Sequence, residues 1–422
     1  MADNTDKIST PGDVNLITAV IITLGGSTID VSAMIGDLTL YEDIFSNTMS
    51  GYIMLEDSLD LINSIPLVGQ EQFVVELTTP TLNVSITKIF YIYKLQGKMT
   101  KKRSQMYMLN FCSRELIFSM NSKVSKAFSG NITDTVVSIF NDSRYLSADA
   151  DLFVDRTQND CTFIAPYWSP LETINWLAAR SINESGTPNF LFFETNQSYE
   201  FVSVEALMNC EPERSYIYSD VDANTAYGIN GSKEDKYNIV ESIESPITFD
   251  YLRDVSSGLY SSRLYTYDMT TKSIKTKSFD YIQNFDDSIH LEDFPLKTND
   301  LIRRQAASTH FIEKNNYQTG SFKSQGYDEY FLEKNSLLEQ LRAFKLVIKV
   351  NGRTDIKAGN VIHFKMNELR QILGDEIDTS GDSDYYSGMY LITAIRHQII
   401  SGKHKMFMEI VSDSFVKQLI VR

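Results

Sequence analysis

Residues 346–366 read LVIKVNGRTDIKAGNVIHFKM, and this stretch decides the fold class. Leu346–Val350 and Val361–Met366 are short runs rich in β-branched and aromatic residues, the composition of half-buried strands. Between them, Asn351-Gly352 is the strongest short hairpin signal a sequence offers. Downstream, Tyr390–Ile400 and Lys405–Val411 are two further strand segments, placed to pair across Ser401-Gly402. An acidic polar loop, about 374–387, interrupts the pattern.

Working outward, the other end of the chain is built the same way. Leu16–Leu24 is an apolar strand segment that stops at Gly25-Gly26, and Ile29, Val31 and Ala33 alternate with polar neighbours after it. Gln72–Leu77 places Phe73, Val75 and Leu77 on one face at period two. Ile86–Leu95 and Gln105–Cys112 form a hairpin, with Tyr107, Leu109 and Phe111 lining one face. A short helix is expected over Ser58–Ile65, capped by Ser58 and ended by Pro66. Residues 14–112 and 344–422 therefore each read as a small antiparallel β-barrel or sandwich.

The middle is mixed. Asn131 opens a helix whose stripe is Ile132, Val136, Ile139 and Phe140. Ser169-Pro170-Leu171-Glu172 is a capping box with proline in the first turn, followed by the apolar face Leu171, Ile174, Leu177 and Ala178. Asn189–Glu194 and Tyr199–Val204 read as a hairpin across Thr195–Ser198. From 246 onward the chain is polar and strand-leaning, clearest at Ser262–Tyr267 and Lys277–Phe285, with a helix at Glu333–Ala343. The expected division is a flexible stretch 1–13, a first barrel 14–112, an α/β domain 113–208, a second barrel from 209–245 and 344–422, and an inserted domain 246–343. The class is α+β and β-rich.

Composition narrows function. The 422 residues carry 39 Lys and Arg against 55 Asp and Glu, a net charge of −16. Such a chain repels phosphate at long range and is a poor clamp for nucleic acid or for anionic membranes. Leu16–Leu24 is about half the length a bilayer span needs, and the polar N-terminus lacks a secretory apolar core. The three cysteines, Cys112, Cys161 and Cys210, are far apart and form no CxxC pair, which argues against a zinc site or disulfide framework and for assembly in a reducing cytoplasm.

No chemical motif stands out. There is no HExxH, Walker A, GxGxxG or GxSxG pattern, and His290, His310, His363, His397 and His404 have no metal-ligand spacing. His363 and His397 fall in strands, at a core edge or interface. Carboxylate pairs such as Glu56-Asp57 and Asp375-Glu376 read as solvated or structural. No catalytic residue, metal or cofactor is assigned. Three readings stay open for the cations Lys98, Lys101, Lys102 and Arg103: a solvated hairpin tip, a phosphate contact, or docking on an acidic neighbouring subunit. Trp168 and Trp176 flank the capped helix, where packing at the helix entry competes with interface anchoring.

Three stretches together resemble the central baseplate hub subunit of T4-like contractile phages and, more weakly, the hub portion of type VI secretion spike proteins. They are Tyr167–Leu177 with the hairpin after it, Gly258–Phe285, and Asn351–Ile362 with Gly388–Ile395. The resemblance covers nearly the whole chain, and it implies two tail-tube-like barrels per subunit. Three subunits would then close a ring of six barrels, matching a sixfold tail tube on one side and a threefold central spike on the other. It further implies a DNA passage through the ring, surrounding baseplate proteins as neighbours, a place in the virion, and no enzymatic activity. Lys98, Lys101, Lys102, Arg103, Trp168 and Arg353 are the candidate interface residues. A peptidoglycan-degrading tail enzyme and a host-receptor-binding tail protein are the rival readings.

Overall fold

A computed structural model describes residues 12–64, 67–80, 82, 84–100, 104–218, 235–247, 249–269, 271–296, 308–314, 327–366 and 385–418. Strands dominate, as the composition implies. The main sheet has 13 strands. Its path runs Val240–Ile247, Lys345–Asn351, Lys403–Val411, Gly388–Ile400, Ile35–Asp43, Ser50–Asp57, Gln105–Ser113, Ser85–Thr100, Gln72–Thr78, Asn15–Ile22 and Thr28–Asp30. Val361–Met366 branches off Gly388–Ile400 and carries Arg214–Tyr218 in parallel on its far side.

Two hydrophobic cores lie along this one sheet. The N-terminal core gathers Phe73, Val75, Leu77, Tyr107, Leu109 and Phe111, the period-two faces legible in the sequence. The C-terminal core gathers Leu346, Ile348, Val350, Phe364, Ile395 and Met408. The β-rich class expected from the sequence is borne out, and the two strand-rich halves share one sheet. The two halves are joined edge to edge. Ile35–Asp43 pairs with Gly388–Ile400 from Asp37 opposite Ile400 to Asp43 opposite Ala394. An isolated parallel bridge links Ile217 to Ile239 beside the start of Val240–Ile247.

The Asn351-Gly352 hairpin is also corrected. Lys345–Asn351 pairs with Lys403–Val411 and Val240–Ile247, while Val361–Met366 pairs elsewhere. Gly352 is required for space rather than for a turn: a Cβ there would lie 2.0 Å from the ring of His404. The turn at Ser401-Gly402 forms as read, with φ of 52° and 74°, the two positive angles of a tight hairpin.

The helix expected over Ser58–Ile65 is described only as one turn, Leu61–Ser64. At its entry the Asp57 carboxylate accepts from the N–H groups of Leu59 and Leu61 at 2.8 and 2.7 Å. Asn131 and the Ser169–Glu172 box cap their helices, Ile132–Asn141 and Pro170–Ala178, and the apolar stripes of both are buried. Those helices pack with the hairpin Phe190–Glu194/Tyr199–Ser203 into a third core. In the inserted region Ser261–Asp268 is flanked by Ser273–Asp280 and, in parallel, Ser308–Lys314. The second strand expected there, Lys277–Phe285, thus begins and ends earlier. The helix read as Glu333–Ala343 spans Tyr327–Ala343.

The join between the halves is polar at its centre. Glu42, His397 and His404 are all buried. His397 Nε2 meets Glu42 Oε1 at 3.0 Å, and its Nδ1 meets His404 Nε2 at 3.0 Å. Burial, aided by the neighbouring His397, holds His404 well below the usual histidine range. The unfolded chain therefore takes up that proton first. The His404 contribution is complete above the unfolded value of about 6.5 and is lost as pH falls below it, by up to about 1.4 kcal/mol per pH unit. Urea unfolding between pH 7.5 and 5.5 should show this decline, and His404→Asn should flatten it. An equal slope in both proteins would refute the assignment.

Candidate assembly interface

The loop between Asn351 and Val361 reaches the N-terminal half, the α/β region and the parallel strand, because its polar side chains and bare peptide groups face in different directions. Gly352 N–H donates to the His404 carbonyl at 2.9 Å. Arg353 is completely buried and grips Asp355 with Nε at 2.9 Å and a terminal nitrogen at 2.7 Å. Arg214, on the parallel strand, reaches the same carboxylate at 3.0 Å. Thr354 donates to the Val84 carbonyl in the N-terminal half at 2.6 Å. Asn196, from the α/β region, donates to the Ile356 carbonyl at 3.0 Å, and Lys357 pairs with Glu200 at 2.6 Å. Ala358 N–H donates to Glu42 at 3.1 Å, on the oxygen that His397 leaves to it.

Burial pushes the Asp355 carboxyl up, but the charged bonds from Arg353 and Arg214 more than offset this and leave it below the usual carboxylate range.

Of the residues singled out as interface candidates, the structure places three. Lys98 is exposed on the strand Ser85–Thr100, beside exposed Tyr93, Leu95 and Met99. Trp168 is half-buried, with its ring 5.5 Å from that of Trp176 and its carbonyl accepting from Val124 at 2.8 Å. Both are packing contacts at the helix entry. Arg353 is corrected: it is an internal residue joining parts of one chain, since a guanidinium with a bidentate carboxylate can be buried. Lys101, Lys102, Arg103 and the acidic loop to residue 384 lie outside the described residues. The sequence reading missed the exposed apolar positions Ile17, Ile89, Tyr93 and Met99 on the N-terminal half of the sheet. Their only signal was apolar residues on both faces of the same strands.

Buried carboxylates exist, but they are engaged internally. Glu115 and Glu194 are bridged by the Tyr199 hydroxyl at 2.9 and 3.0 Å, beside a cleft of about 630 Å³. Glu194 also accepts from Met49 N–H at 2.8 Å, Ser113 at 2.5 Å and Lys88 at 2.9 Å. Burial raises the Glu115 carboxyl above its ordinary value. The group ties the first half of the sheet to the α/β region. Among the described residues no cluster of three His, Cys, Asp or Glu could hold a metal, and no helix is long and apolar enough to cross a membrane.

Comparison with known proteins gives the following. No family model matches the chain. A probable baseplate hub protein of Vibrio phage KVP40 is 20% identical over 408 residues, covering 90% of each chain. Among solved structures, a tail protein from Neisseria meningitidis matches with a TM-score of 0.57 at 11% identity, covering 94% of this chain and 96% of that one. The 43 kDa tail protein of prophage MuSo2 from Shewanella oneidensis matches with a TM-score of 0.55 at 9% identity, covering 94% and 99%. The resemblance to phage baseplate hub proteins read from the sequence is borne out.

Replacing Asp355 with Ala removes the carboxylate that two guanidiniums share, one of them fully buried. The expected loss is about 3–5 kcal/mol of unfolding free energy, with Asp355→Asn milder. Denaturant melts of the two variants measure it, and a cost under about 1 kcal/mol would show that the loop does not depend on this pair.

Proposed function

We propose that the chain is a structural hub subunit of a contractile phage tail baseplate. The observation that carries this is the match to a probable hub protein along 90% of both chains. The architecture supports it. Among the described residues, two strand-rich halves lie edge to edge in one sheet with a core each, which agrees with tube-like units at 14–112 and at 209–245 with 344–422. Three such chains present six tube-like units, which reconciles a sixfold tail tube with a threefold central spike by closed cyclic symmetry. The α/β region 113–208 and the insertion 246–343 face the surrounding baseplate proteins. Lys98, with Lys101, Lys102 and Arg103, sits at a contact to an acidic neighbour. Excess negative charge on the channel wall keeps passing DNA from binding. The protein works in the virion tail after assembly in the host cytoplasm, and it makes interfaces rather than turning over a substrate.

Mass measurement in solution should find a species near three times the chain mass of 48.1 kDa, and negative-stain imaging should show a ring with a central hole. Lys98→Glu should weaken association while leaving subunit stability within about 0.5 kcal/mol. Purified protein should not lyse cell walls. A strictly monomeric protein that binds neither tube nor spike would overturn the hub reading, and wall lysis would favour the enzyme.

A further inference from the structure

A small pocket of about 180 Å³ lies where three regions meet: the turn after Ile35–Asp43, the capped helix with its neighbouring strand Phe190–Glu194, and the helix Tyr327–Ala343. Its walls include Phe45, Ala178, Leu191 and Leu338, and its polar groups include Lys334 and Asn189. No lining residue is acidic, although the chain as a whole carries a net charge of −16.

Two features of this pocket are costly for folding alone. Asn189 is 1% exposed, and among the described residues neither its side-chain nitrogen nor its oxygen has a hydrogen-bond partner. A buried amide left in this state loses its hydration without replacement. Asn189 also holds a φ of 91°, in the left-handed region. Lys334 directs one N–H to the Ala179 carbonyl at 2.7 Å, and an ammonium has two more to give. Burial, together with the nearby Arg180, pulls the Lys334 ammonium down to about 8. A cation, an unsatisfied amide donor and apolar walls are jointly complementary to an anion on a short apolar stem.

We infer that this pocket receives a carboxylate, bound by the Lys334 ammonium and the Asn189 amide, with its aliphatic stem against Phe45 and Leu191. The carboxylate belongs either to a small free acid or to an Asp or Glu side chain of another copy of this chain. This inference is independent of the hub reading.

The test follows Lys334 by NMR in protein carrying isotopically labelled lysine, with Lys334→Arg to assign the signal. Acetate is the probe, and sodium chloride at equal ionic strength is the control. Bound acetate should raise the Lys334 midpoint from about 8 by roughly 1 to 3 pH units, because an adjacent opposite charge favours the charged form. Asn189→Ala should weaken acetate binding by about tenfold or more, the value of a hydrogen bond to a charged group. Asn189→Asp should fill the pocket from within, raising Lys334 without acetate and making it insensitive to acetate. A rise with protein concentration in acetate-free buffer identifies the source as a second copy, and a rise with acetate alone identifies a free acid. If the Lys334 midpoint is the same in acetate, in chloride and at every protein concentration, the inference is overturned.

Discussion

The two halves of this protein are held in register by a buried polar junction, and the other contacts are arranged around it. Glu42 offers one oxygen to His397 and the other to the Ala358 N–H. A few residues earlier in that loop, Arg353 and Asp355 form a bidentate pair. Apolar packing is non-directional and would let two sheets slide past one another. Charged hydrogen bonds with fixed geometry do not allow that, because any slip leaves a buried charge unpaired. The same loop reaches the N-terminal half, the α/β region and the parallel strand through Thr354, Asn196 and Arg214.

The legibility of the fold in the sequence followed the range of the interactions. The capping box at Ser169 and the cap at Asn131 were readable because a cap is settled within four residues. Phe73, Val75 and Leu77 were readable because one buried face imposes period two. Ile35–Asp43 and Ser50–Asp57 were not picked out, although they are central. The first mixes buried Asp37, Thr39 and Glu42 with apolar residues and so breaks the alternation. One of its two partner strands lies more than 300 residues away in the chain, beyond the reach of any local pattern.

The site residues divide the same way. Lys98 and Trp168 could be located because cations at a hairpin and tryptophans at a helix entry are local signals. Arg353 looked like a surface residue because nothing nearby reveals that Arg214, Tyr237 and His404 converge on its loop. Gly352 carried a turn signal, but its role is clearance for a ring that arrives from another strand. Several polar residues in this chain tie separate segments together. That use is common to Glu194, Asp355 and Glu42, and none of the three shows in composition.

The edge-to-edge join also sets a timetable for synthesis. Ile35–Asp43 leaves the ribosome early, but its outer hydrogen-bonding edge is satisfied only by Gly388–Ile400. At a synthesis rate of about 5–20 residues per second, that edge waits roughly 20 to 70 seconds for its partner. During that time it is an open template for pairing with another nascent chain. In a cell translating many copies at once, the interval before residue 400 appears is the one in which this edge is most exposed to mispairing.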